Sequence, residues 1–174
     1  AGLKWLGLDW DEGPDVGGAF APYFQSQRLD LYQAAAKKLV AQGDAYYCYC
    51  SPERLDAMRQ EQTARKLPTG YDRACRGLGR DDCVRYEAAG VKPVVRFKVP
   101  DTGRTGFTDA IFGDIGFENR SIDDFVMLKS DGYPTYHLAN VVDDHAMRIS
   151  HVIRAEEWLS STPRHLLMYQ ALGF

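Results

Sequence analysis

Apolar residues recur at helical spacing between residues 26 and 42 (SQRLDLYQAAAKKLVAQ), where Leu29, Tyr32, Ala36 and Leu39 fall on one face. Ser26 is the expected N-cap and Gly43 the expected stop. The preceding stretch, 9–22 (DWDEGPDVGGAFAP), carries Gly, Pro and Asp without a period and reads as a loop. Residues 52–65 predict a short polar helix opening on Pro52, and 67–82 read as irregular. Alternation in 93–99 (PVVRFKV) predicts a strand. PDTGRTG is a turn, followed by short strands at 105–109 and 111–118. Phe125 to Lys129 predicts another strand, Ser130-Asp131-Gly132 a turn, and 135–146 a helix. Residues 150–154 predict a buried strand through His151-Val152-Ile153. Thr162 as N-cap and Pro163 at the first position open a final helix, which Gly173 closes.

These elements divide into a mainly helical segment (1–44), a mixed segment (45–122) and a segment returning to an α/β pattern (123–174). Composition adds little: with 45% hydrophobic and 26% charged residues the chain is an ordinary globular one. No apolar run is long enough to span a bilayer, and no signal-peptide pattern appears. Four cysteines, two of them one residue apart, do not form the framework of a secreted disulfide protein, which points to a cytoplasmic chain. The net charge of −3 hides an asymmetry. Between Glu53 and Arg104 there are 12 Lys/Arg against 8 Asp/Glu, and elsewhere 9 against 16. The middle is therefore the better surface for a phosphate backbone, although a solvated mixed-charge face reads the same way.

Cys48-Tyr49-Cys50 is followed after 24 residues by Cys75, with Tyr71 four residues before it. Two thiolates on a short turn and a third at a distance suit tetrahedral zinc if a fourth ligand exists. All four histidines lie beyond residue 136, so that ligand is Tyr71, Cys83 or something weaker. Plain reduced cysteines fit the same spacing.

The densest chemistry lies in 133–158 (YPTYHLANVVDDHAMRISHVIRAEEW). Tyr133, Tyr136, His137 and Asn140 lead into Asp143 and Asp144, and the expected strand then delivers Arg154 ahead of Glu156, Glu157 and Trp158. An arginine at the carboxyl end of a strand is a ready partner for a small anion. The bland alternative is a surface ion pair. No Ser-His-Asp or Cys-His arrangement stands out, so no catalytic side chain is assigned.

The run SDGYPTYHLANVVDDHAMRISHVIRAEEWLSSTPRHLLMYQALGF, together with LKWLGLDWDEGPDVGGAFAPYFQSQRLDLYQAAAKKLVAQGDAYYCYCSPERL, resembles the glutamyl-tRNA synthetases, class I aminoacyl-tRNA synthetases. The resemblance implies an α/β fold: a partial Rossmann-type class I synthetase catalytic domain with a small inserted α+β acceptor-binding subdomain. It implies activation of L-glutamate with ATP and Mg2+, transfer to the 3′-terminal adenosine of tRNA(Glu), and a monomer. Residue by residue, Arg154 matches the arginine that grips the substrate γ-carboxylate. Tyr136 matches a tyrosine on glutamate, and Asn140 lies one helical turn further on the same face. Glu157 and Trp158 match positions near ATP and the acceptor end. Cys48, Cys50, Tyr71 and Cys75 match the ligands of a structural Zn2+. The HIGH-type and KMSKS-type motifs are absent from these residues, so this stretch resembles an internal piece expected to be inactive alone. Two readings compete: a glutamyl-Q tRNA(Asp) ligase-like enzyme, and a non-catalytic zinc-stapled RNA-binding module.

Overall fold

The computed structural model describes residues 2–174. Its elements run α1 (Gly2–Trp5), α2 (Leu29–Gln42), β1 (Ala45–Cys48), α3 (Pro52–Ala64), α4 (Arg80–Ala88), β2 (Val94–Phe97), β3 (Arg104–Asp109), β4 (Gly113–Glu118), β5 (Val126–Leu128), α5 (Tyr136–Ala146) and α6 (Thr162–Leu172). Three short 3-10 turns, Gln25–Gln27, Asn119–Ser121 and Glu156–Ser161, link them.

Strands β1, β2 and β5 form an antiparallel sheet with β2 in the centre. Ala45 faces Phe97 and Cys48 faces Val94, while β2 meets β5 through Val95–Leu128 and Arg96–Val126, with a bulge between. The sheet thus draws strands from both the second and the third predicted segments. Strands β3 and β4 make a separate hairpin, Arg104 opposite Glu118 through Asp109 opposite Gly113. All strand pairs among the described residues are antiparallel.

The helical stripe on α2 behaves as its spacing predicts: Tyr32, Ala36 and Leu39 are buried and Leu29 packs at the edge. They meet Val95, Phe97 and Met127 of the sheet, Leu138 and Val142 of α5, and Met168 and Leu172 of α6 in one core. Gly43 and Gly173 close α2 and α6 at φ of 86° and 73°, a left-handed backbone that glycine adopts without steric cost. Thr135 fixes the start of α5 against β5: its N–H bonds to the Met127 carbonyl at 2.8 Å and its hydroxyl to the Val126 carbonyl at 2.8 Å.

Four expectations are corrected. Ser161, not Thr162, precedes α6: the 3-10 turn Glu156–Ser161 runs straight into the helix, so Thr162 and Pro163 are its first two residues. Ser26 lies in the first 3-10 turn, and Arg28 occupies the position before α2 without a side-chain capping bond. Its side chain, 4% exposed, instead anchors the helix start to the rest of the fold, donating to Asp143 at 2.7 Å and to the Pro22 carbonyl at 2.9 Å. Irregular structure ends at Gly79, where Asp82 accepts from the Gly79 N–H at 3.1 Å and α4 begins. Residues 150–154 are not a strand, and Val152 and Ile153 are 56% and 94% exposed. A short apolar run becomes a strand only beside a partner ladder, and none of the described strands lies against it.

The irregular segment between α3 and α4 is held by several carboxylates: Asp101 pairs with Arg73 and, at 2.8 Å, with Arg76, Asp123 accepts from the Tyr71 N–H at 3.0 Å, and Asp124 is the most deeply buried of them. Asp124, fully buried, accepts from Arg76 Nε and Nη2 at 2.9 and 2.8 Å, from the Tyr46 hydroxyl at 2.6 Å and from the Val99 N–H at 3.1 Å. Removing Asp124 takes the acceptor from the Tyr46 hydroxyl and the Val99 N–H and leaves Arg76 only its exposed partner Asp101 and the Val99 carbonyl. Asp124→Ala is expected to lower the unfolding free energy by about 3–5 kcal/mol in denaturant titrations. Asp124→Asn, which keeps an acceptor for the Tyr46 hydroxyl and the Val99 N–H, is expected to lose less, and equal loss in both would contradict the assignment.

Candidate functional site

Arg154 lies on an irregular segment yet is well placed. Its Nη2 donates to Asn140 Oδ1 at 2.7 Å, its Nη1 bonds His165 Nδ1 at 2.9 Å, and Asp144 Oδ2 stands 3.8 Å from Nη2. Only 17% of its side chain is exposed. Asn140 and Asp144 come one turn apart from α5, and His165 comes from α6. Tyr136, one turn before Asn140, packs its ring 4.8 Å from Trp158 and 5.9 Å from His165. Tyr136 is 45% exposed, so this aromatic wall is open to solvent.

The structure thus brings together four of the five positions expected there: Tyr136, Asn140, Arg154 and Trp158. Glu157 is exposed and has no hydrogen bond or ion pair among the described residues. His165 belongs to the cluster but was not expected. The available signal was its register: His165, Met168 and Leu172 share the buried face of α6, where a polar residue needs a partner. Asp143 takes the structural role, binding Arg28 and the Tyr32 hydroxyl.

Burial, then the charges of Arg164 and Arg154, lowers His137 to about 4. Burial, then Arg154, His137 and Arg164, lowers His165 to about 3. Arg154 offers only donors, so His165 Nδ1 must accept, which leaves its proton on Nε2. Nε2 then donates to His137 Nδ1, 3.0 Å away. Burial raises the Asp144 carboxyl above its ordinary value, against the pull of Arg154 and with the push of Asp143.

A second cluster sits where β1 ends. The thiols of Cys48, Cys50 and Cys75 lie within 4.8 Å of one another, with Cys50 and Cys75 at 3.5 Å. The Tyr71 hydroxyl is 3.3 Å from Cys48 Sγ and 3.5 Å from Cys50 Sγ, and accepts from the Cys75 N–H at 3.0 Å. Cys83 is instead beside Tyr49, whose hydroxyl donates to Glu87 at 3.0 Å. Burial opposes ionisation of Cys48, but bonds from Tyr71, the Cys50 N–H and Arg96 outweigh it and hold the thiol below its ordinary value. Burial pushes Cys50 up to about 11. The Arg96 guanidinium stacks on the Tyr71 ring at 3.9 Å. Three convergent sulfurs and one phenol oxygen can hold a tetrahedral metal ion.

The family model described as tRNA synthetases class I (E and Q), catalytic domain, matches residues 1–174. A glutamate–tRNA ligase of Dehalococcoides mccartyi (strain CBDB1) is 63% identical over 172 residues, 99% of this chain and 34% of that protein. That of Borrelia duttonii (strain Ly) is 55% identical over 170 residues, 97% of this chain and 34% of its own length. The chain therefore spans about a third of the length of these relatives. The crystal structure of a glutamate–tRNA synthetase from Elizabethkingia anophelis superposes with a TM-score of 0.92 at 38% identity, covering 99% of this chain and 36% of that one. A glutamate–tRNA ligase from Elizabethkingia meningosepticum, solved in complex with its amino acid, superposes equally well, with a TM-score of 0.92, 38% identity and the same coverage.

The two neutral histidines make stability depend on pH. Their folded values lie below the ordinary 6.5, so below about pH 6.5 the unfolded chain takes up protons that the folded chain refuses. Stability is expected to fall as pH drops from about 6.5 towards 4, by up to about 1.4 kcal/mol per pH unit for each histidine. In denaturant titrations at pH 7, 6 and 5, His165→Asn, which cannot titrate, should flatten that slope. An unchanged slope would show that His165 does not stay neutral in the fold.

Proposed function

Because the chain belongs to the catalytic-domain family of class I tRNA synthetases for glutamate and glutamine, we propose that it is the part of a cytoplasmic glutamate–tRNA ligase that holds the amino acid. The enzyme activates L-glutamate with ATP and Mg2+ to glutamyl-adenylate and passes the acyl group to the 3′-terminal adenosine of tRNA(Glu). The observation that carries this reading is Arg154: a largely buried guanidinium held by Asn140 and His165 beside the Tyr136–Trp158 wall. Among the described residues its remaining N–H groups make no hydrogen bond. They can receive the γ-carboxylate as a charge-assisted pair. Glutamine offers one acceptor and two surplus donors there, which leaves a guanidinium N–H without its acceptor and brings donors towards donors.

The Tyr136 hydroxyl and the Asn140 amide orient the substrate from α5. Glu157 and Trp158, on the turn after Arg154, face ATP and the acceptor end, and the exposure of both keeps them free for such partners. No side chain need act as nucleophile: the substrate carboxylate attacks the α-phosphate, and the protein contributes position and charge. Cys48, Cys50, Cys75 and Tyr71 hold a structural Zn2+, whose chemistry is to bind the thiolates and cross-link the turn after β1 to the irregular segment before α4. Arg96, over Tyr71, offsets part of the negative charge of such a site.

In the full-length protein carrying this chain, Arg154→Ala is expected to raise the KM for glutamate at least about 30-fold, the loss of one buried charge pair, with the KM for ATP within about twofold. Parallel loss of both would remove the amino-acid reading. Elemental analysis of the same protein is expected to find close to one zinc per chain, lost when Cys48 and Cys50 become serine. A folded wild type free of metal would refute the zinc assignment.

A further inference from the structure

We propose that His165 is a positioning residue for amino-acid recognition: through its unprotonated Nδ1 it fixes the Arg154 guanidinium in the orientation that receives the substrate side chain. The inference rests on the reading of Arg154 given above and adds a residue to it.

Backbone cannot do this work. Among the described residues, no backbone–backbone hydrogen bond involves residues 150–154. His151, Val152 and Ile153 are exposed, so packing does not hold the segment either. The Arg154 side chain nevertheless reaches inward, and its two close bonds are to side chains on α5 and α6: Asn140 at 2.7 Å and His165 at 2.9 Å. A guanidinium is planar, so fixing both terminal nitrogens fixes the plane and the direction of the remaining donors.

His165 is suited to one of these two posts. It is 4% exposed and sits on the buried face of α6, whose neighbours Met168 and Leu172 are core residues. Its far nitrogen bonds His137 of α5 at 3.0 Å, and His137 in turn packs edge-on against Phe125 at 5.5 Å. The acceptor is therefore anchored at both ends, by a helix and by a second imidazole. Asn140 alone would leave Arg154 free to swing about one bond towards Asp144, 3.8 Å away. That movement would pair the guanidinium with a protein carboxylate and withdraw it from the substrate.

The test uses steady-state aminoacylation of tRNA(Glu) by the full-length protein, with KM measured separately for glutamate and ATP. His165→Leu and His165→Asn have the same shape and differ in the acceptor; His165→Phe keeps the ring and its packing. Leu and Phe are expected to raise the glutamate KM about tenfold, the effect of one hydrogen bond to a charged group, with the ATP KM within about twofold. Asn, whose Oδ1 replaces Nδ1, is expected to restore the glutamate KM to within about threefold of wild type. In an Arg154→Ala background, His165→Leu should add nothing further. If the Phe variant does not fold, the Leu–Asn pair decides. A glutamate KM unchanged in Leu, or raised equally in Leu and Asn, overturns the proposal, while a selective Arg154→Ala effect would leave the amino-acid reading standing. Parallel loss of glutamate and ATP in Arg154→Ala removes both.

Discussion

A guanidinium carried on a segment without a backbone ladder is only as well placed as its side-chain partners make it. Arg154 meets that constraint by binding α5 through Asn140 and α6 through His165. The two helices are in turn fixed by the core, where Leu138 and Val142 of α5 and Met168 and Leu172 of α6 pack against α2 and the sheet. The site is therefore an output of helix packing. Its direct partners sit on regular elements, which hold geometry better than loops do.

Two other buried charge systems serve that packing. Arg28 and Tyr32 on the α2 side both bind Asp143, one residue before the carboxylate that approaches Arg154. Adjacent residues of a helix point in different directions, so α5 shows Asp143 to α2 and Asp144 to the site. Asp124 does a comparable job for the sheet, gathering Arg76, Tyr46 and the Val99 N–H around one carboxylate. Through Arg76 it steadies the segment that also carries Tyr71 and Cys75. The cysteine cluster and the arginine site thus share one scaffold, each beside an arginine–carboxylate pair: Arg76–Asp124 for the first and Arg28–Asp143 for the second.

Much of this was legible in the residues. The α2 stripe, the proline that opens α3 and the glycines that end α2 and α6 each carry a local cause that survives folding, whereas β2 forms where expected but is buried at Val95, Arg96 and Phe97 in succession instead of alternating. The Cys48, Cys50, Tyr71 and Cys75 set and the Tyr136, Asn140 and Arg154 set were also visible, and each is gathered in space. Helix α4 was missed because RDDCVRYEA buries no residue and has no apolar stripe to count. The strand expected at 150–154 failed because apolar content says nothing about a pairing partner. The start of α2 moved from Ser26 to Arg28, whose anchoring contact, with Asp143, lies 115 residues away in sequence. His165 was passed over for the same reason: its partners come from α5 and from the segment before α6, and only the folded chain brings them together.

The most direct measurement is a crystal structure of the full-length protein with glutamate bound. The account predicts the side-chain carboxylate within about 3 Å of the Arg154 guanidinium, with Asn140 and His165 still in place on its other donors. A glutamate whose side chain is bound elsewhere, with Arg154 contacting only protein groups, would contradict it.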